Sequence, residues 1–160
     1  MKVNDFLTEE SKKLIREAVV NVEKTTAGEI RVAVIEKCKA PFFHSWFSTV
    51  DTLTYNRALE EFSRLGMSAT RDKTGVLICL FLREKKVWVI GDQAINEKVP
   101  PGTWDQAVAL IIESIKDPSQ DNGAGICKAV ELIGKHLAEH FPRKQDDTDE
   151  LSDDVVVEKE

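Results

Sequence analysis

Three short stretches hold side chains able to do chemistry together: Glu29 and Arg31 in "TTAGEIRVAV", Arg71, Asp72 and Thr74 in "TRDKTG", and Asp92 in "VIGDQ". Glu29, Asp72 and Asp92 offer hard carboxylate oxygens of the kind that Mg²⁺ or Ca²⁺ takes from flexible loops, and one of these ions is the cofactor such a set would hold. Arg31, Arg71 and Thr74 are residue types that receive an anion such as a phosphate. Together they would support metal-assisted hydrolysis of a phosphomonoester. The plainer reading pairs Glu29 with Arg31, two residues apart on one strand face, and leaves Asp72 and Asp92 to serve turns. Turn chemistry alone accounts for these residue types.

For the three stretches to meet, the intervening elements must carry them to one edge. Thr8 can cap a helix from Glu9 to Lys24, with Glu9 and Glu10 in its first turn and Leu14, Ile15, Ala18, Val19 and Val22 on one apolar face. Ile30 to Ile35 is β-branched and nearly all apolar, as in a strand covered on both faces. An irregular aromatic segment containing Pro41 and His44 follows. Apolar spacing then predicts a helix from Trp46 to Leu65, stopped by Gly66. Val76 to Leu82 and Val87 to Ile90, joined by "REKK", predict an antiparallel hairpin. Thr103 is expected to cap a helix reaching Ile115, "DPSQDNG" to form a turn, and a last helix to run from Asn122 to Phe141, where Pro142 stops it.

Strands alternating with helices predict an α/β fold. Its centre is a mixed β-sheet with a right-handed parallel crossover between the first two strands and one antiparallel hairpin, flanked by about four helices. Two parallel strands begin at the same sheet edge, and an antiparallel third strand ends there. The polar stretches before strand one, before strand two and after strand three therefore converge.

A chain of 160 residues with 42% apolar content suits one globular domain, expected over residues 1–142. Residues 143–160 read as an acidic, disordered tail. Eight acids against three bases place most of the net charge of −6 in that tail. The remainder is nearly neutral, which gives neither nucleic acid nor an anionic membrane a charge footprint. Another protein is the expected partner, and the tail would suit a basic one. No apolar run approaches the length of a membrane span and none follows Lys2, so neither a span nor a signal peptide is predicted, and the expected location is cytoplasmic.

Cys38, Cys79 and Cys127 are odd in number, widely spaced and outside any CxxC pair, as reduced thiols are. Cys79, inside an apolar strand, reads as a core residue. No Walker loop, HExxH or GxSxG signature occurs. "GAGICK" follows a loop, not a strand, so its glycines are expected to permit close helix packing. His136 and His140 have metal-ligand spacing without a third ligand, and a histidine suits a helix C-terminus in any case. A non-catalytic binding or accessory domain is thus the expected function, with the hydrolase as the alternative.

The order of motifs "LTEE", "TTAGEIRVAVIE", "LGMSATRDKTGVLICL", "KVWVIGD", Trp104 before a helix and "GAGICKAVELIGKHLAEHFP" resembles the TPM domain family over about residues 6–142. The resemblance implies an α/β layered sandwich. It also implies links to phosphatase activity, divalent-metal binding, photosystem repair and membrane-receptor assembly, a spread that suits an accessory scaffold as well as an enzyme. The matching positions are Gly28 and Glu29, Thr74 and Gly75, and Gly91 and Asp92. Many relatives carry an asparagine where Thr74 stands and a Gly-aromatic-Gly where Gly91, Asp92 and Gln93 stand, so the loop after the third strand departs from the family pattern.

Overall fold

The computed structural model describes residues 1–39 and 48–159. Its elements are α1 (Val3–Phe6), α2 (Glu9–Glu23), β1 (Glu29–Ile35), α3 (Val50–Arg64), a 3-10 turn (Met67–Ala69), β2 (Gly75–Phe81), β3 (Lys86–Gly91), α4 (Gln93–Asn96), α5 (Thr103–Lys116), α6 (Asn122–His140) and β4 (Val156–Glu158). Pro41, His44, Trp46 and Phe47 lie outside the described residues.

The sheet order is β3-β2-β1-β4. β1 pairs in parallel with β2, matching Glu29 to Gly75 and Ile35 to Phe81, and β2 pairs antiparallel with β3, matching Val76 to Gly91. The expected mixed sheet with a parallel crossover and one hairpin is observed, and the starts of β1 and β2 meet the end of β3.

Alternation along each strand sends side chains to two cores. Ile30, Val32, Val34, Val76, Ile78, Leu80 and Val89 pack with α2, α5 and α6. Ala33, Ile35, Leu77, Cys79, Phe81 and Ile90 pack with α3 and Met67 on the other face. Glu29 and Arg31 share the phase of Ala33, so they belong to the α3 face.

Helix ends follow local chemistry. Thr8 accepts the Ser11 N–H at 3.0 Å and caps α2 as expected. Thr49 does the same for α3, accepting the Thr52 N–H at 3.1 Å. Gly66 takes φ +78°, the left-handed conformation that ends α3 without a Cβ penalty. Thr103 does not cap α5: it is the first helical residue, and its hydroxyl donates to the Pro100 carbonyl at 2.7 Å, closing the turn before the helix. Gly125 lets α6 lie against α5; a Cβ there would stand 2.8 Å from the Leu110 carbonyl.

The acidic tail differs most from expectation. Composition marks it as disordered, yet Val156–Glu158 forms β4 alongside Ala33–Ile35, and the Glu36 N–H donates to the Glu158 carbonyl at 3.1 Å. Val155, Val156 and Val157 are the reason: their β-branched side chains alternate between the two cores, Val155 and Val157 toward one and Val156 toward the other. No described helix is long and apolar enough to cross a membrane.

Candidate functional site

The edge where β1 begins is built around buried acids. Glu29 is 4% exposed. Its Oε1 accepts the N–H of Glu150 at 2.7 Å, and its Oε2 is buried without a hydrogen-bond partner. Burial pushes the Glu29 carboxyl up to about 7, against the N–H bonds from the tail that favour its charged form.

Glu23, the last residue of α2, is 3% exposed. It caps the outer edge of β1, accepting the Ile30 N–H at 2.8 Å. Its carboxyl is raised well above the carboxylate range, first by burial and then by a hydrogen bond with the Asp153 carboxyl. As two carboxylates, Glu23 Oε2 and Asp153 Oδ1 would both be buried without a donor. A proton held on Glu23 serves both oxygens.

Arg31 makes no ion pair with Glu29. It donates to the Leu65 carbonyl at 3.3 Å, and its Nε is buried with no partner. The main-chain N–H of Arg71 donates to both carboxylate oxygens of Glu150, at 3.1 and 3.3 Å. Its guanidinium stands 3.7 Å from Asp146 and 3.9 Å from both Asp72 and Asp147. Asp72 also lies 3.9 Å from the Lys144 ammonium. Thr74 is buried, and its hydroxyl donates to the Ala27 carbonyl at 3.4 Å.

Asp92 caps the single-turn helix α4 by accepting the Gln93 N–H at 2.7 Å. Its own N–H donates to the Gly75 carbonyl at 2.9 Å, and its Oδ2 is buried without a partner. Gly75 therefore adjoins both Glu29 and Asp92. A Cβ at Gly75 would sit 2.7 Å from the Met67 carbonyl, so only glycine lets that segment close down there.

The unpartnered oxygens of Glu29 and Asp92 are the kind a cation takes, but Asp72 does not join them. Among the described residues no group of three or more His, Cys, Asp or Glu side chains is placed to hold a metal ion. His136, one of the two histidines with metal-ligand spacing, lies 3.8 Å from the Glu139 carboxylate on its own helix. Cys79 is buried in the sheet, and burial pushes its thiol far above its ordinary value, so it is an inert core residue. An apolar cavity of about 630 Å³ lies at the other end of the sheet, lined by residues that include Phe6, Leu80, Val87, Ile112 and Ile115. None of the candidate residues lines it.

One cluster escapes the sequence reading altogether. Glu61 on α3 is completely buried and accepts from Arg57 Nη1 at 2.8 Å, from Arg64 Nε at 3.0 Å and from Arg64 Nη2. The same two arginines reach the β4 carboxylate of Glu158, at 2.6 and 2.5 Å. The missed signal is the helical row Thr54, Ala58 and Glu61, whose spacing places a glutamate on the inward face of α3.

The chain belongs to the TPM domain family, whose model matches residues 2–136. Among solved structures it is similar to the NMR structure of BA42 protein from the psychrophilic bacterium Bizionia argentinensis, at 31% identity and a TM-score of 0.80, covering 98% of this chain and 99% of that one. None of the curated proteins compared with it matches.

Proposed function

We propose that this domain works by binding a partner protein, not by turnover, and that its ligand site is the edge where β1 begins. The observation that carries this reading is the state of Glu29, a buried carboxyl that accepts the main-chain N–H of Glu150, far along the chain. A carboxyl that accepts a main-chain N–H can hold a peptide segment whatever its sequence, with neighbouring side chains adding selectivity. The alternative is a metal-assisted phosphomonoester hydrolase with Asp72 and Asp92 on a cation and Arg31 or Arg71 on phosphate. It draws on residues that are otherwise engaged here: Arg71 and Asp72 face one another and the tail's charges, and Asp92 caps α4. Incubating the purified chain with a chromogenic phosphomonoester and Mg²⁺ tests the choice. Hydrolysis no faster than that of the Asp92→Ala variant is expected; robust turnover abolished by that substitution would overturn the binding reading.

Mg²⁺ or Ca²⁺ at the same edge is the second reading, favoured by the unpartnered oxygens of Glu29 and Asp92. Titrating either ion while following the amide shifts of Glu29, Asp72 and Asp92 tests it. Unmoved shifts would remove the cation from both functional readings.

A further inference from the structure

The tail does more than cover an edge. It supplies a main-chain N–H at Glu150 to Glu29, a carboxyl at Asp153 to Glu23, alternating valines to two cores and a carboxylate at Glu158 to a pair of arginines. The groups that receive these contacts all lie within residues 1–142. Glu61, wholly buried, fixes Arg57 and Arg64 from below. Two guanidiniums against one carboxylate leave a positive charge over, and a second carboxylate completes the set. β1 is seven residues long while β4 pairs with only its last three, Ala33–Ile35.

We propose that the outer edge of β1, with the Arg57–Arg64 pair at its far end, is a receptor for an extended acidic segment of a partner protein, patterned as two β-branched residues followed by glutamate. The chain's own residues 150–158 are its resident, displaceable occupant. This inference rests on the binding reading above and names the partner's chemistry. Charge and shape both select the occupant. The arginines require a carboxylate, the period of two requires apolar side chains on both faces of the added strand, and parallel pairing sets its direction. The resident segment is held partly by exposed pairs such as Arg16–Asp154, which contribute little. Its advantage is tethering, since an attached segment competes at an effective concentration in the millimolar range. A partner with a longer matching strand would extend along β1 before Ala33 only as far as Glu23 allows, since that side chain already takes the Ile30 N–H.

The test uses the full chain carrying Val156→Pro and Glu158→Lys, which disfavours the resident strand and leaves every receptor residue intact. The Glu36 amide, no longer bonded to the Glu158 carbonyl, should exchange with solvent at least about tenfold faster. A synthetic peptide of residues 148–159 should then bind and return the Glu36 amide and the Arg57 and Arg64 side-chain signals toward their wild-type positions. The same peptide carrying Glu158→Lys should bind about tenfold more weakly or worse, having lost a charge-assisted contact. The wild-type chain should need at least about tenfold more peptide, because its own segment competes. Glu158→Gln, which keeps the strand and removes only the charge, should show the same ordering if the double variant does not fold. A folded variant that ignores the peptide, or that binds both peptides equally, would overturn the receptor. That failure leaves the binding reading open to other ligands, whereas phosphomonoester turnover would remove the binding reading without touching the peptide result.

Discussion

Replacing Glu29 with glutamine should stabilise the protein, and by an amount that depends on pH. In the folded chain the carboxyl releases its proton near 7, against an ordinary value of 4.5. The folded state therefore holds a proton that the unfolded state has lost between those values, and stability falls as pH rises through that window. Below pH 4.5 both states are protonated, and a glutamine, close in shape to a neutral glutamic acid, should match the wild type. Each pH unit across the window costs the wild type up to about 1.4 kcal/mol, so the variant should lead by about 3 kcal/mol at pH 8. Glutamine keeps a carbonyl oxygen for the Glu150 N–H, so the contact with the tail survives the substitution. The charge on Glu29 also helps to raise the Glu23 carboxyl, so removing it relieves Glu23 in the same direction. Urea unfolding of both chains at pH 5, 6, 7 and 8 measures the difference. A gap that stays constant across that range, or that narrows as pH rises, would refute the assignment of a buried, protonated Glu29.

Three further outcomes follow from packing. Gly125→Ala should cost about 1–3 kcal/mol in unfolding free energy, because its Cβ meets the Leu110 carbonyl and the Ser114 Cβ across the α5–α6 contact; an unchanged denaturation midpoint would show that the helices can part at little cost. Thr8→Ala should cost about 1 kcal/mol by removing the α2 cap, and a loss no larger than that of an exposed Lys13→Ala control would count against the cap. A thiol reagent should label half-buried Cys127 well before Cys79, which is buried and shifted toward the neutral thiol; mass spectrometry showing the two modified at equal rates in the native protein would contradict that order.

Much of the sheet was legible because its strands announce themselves. Ile30 to Ile35 and Val76 to Leu82 are runs that only a strand buried on both faces tolerates, and the hairpin follows from a four-residue link between apolar runs. Their pairing then fixes the meeting of Glu29, Gly75 and Asp92 by topology alone. What stayed hidden were polar residues at inward positions. Ser11, Ile15, Val19 and Glu23 fall four apart along α2, and all four are buried. A face traced through apolar residues alone passes over both ends of that row, though a buried polar group is the more informative observation. Leu14, by contrast, falls on the expected apolar face yet is 48% exposed, because it sits at the rim of the stripe. The strand in the tail is hidden for a related reason. Eight acids average out Val155, Val156 and Val157, a segment long enough to add one strand but too short to shift a composition.

Three buried acids, Glu23, Glu29 and Glu61, lie in or beside β1, and each is accommodated by a different means. Glu23 keeps its proton, Glu29 accepts a main-chain N–H, and Glu61 takes two arginines. In every case a tail residue completes the arrangement: Asp153 at Glu23, Glu150 at Glu29, and Glu158 at the arginines that hold Glu61. Burying three carboxyl groups at one strand costs stability that an apolar edge would retain. A segment needed only to cover the sheet would be better matched by apolar residues. The polar arrangement instead ties docking to protonation. Deprotonating Glu23 sets its charge against that of Asp153, and deprotonating Glu29 sets its charge against those of Asp149 and Glu150. Rising pH therefore works against the resident segment at two of its three anchors, while the Arg57 and Arg64 guanidiniums at the third stay charged. Exchange of the tail for another segment should accordingly become easier as pH rises, with the Glu158 contact the last to let go.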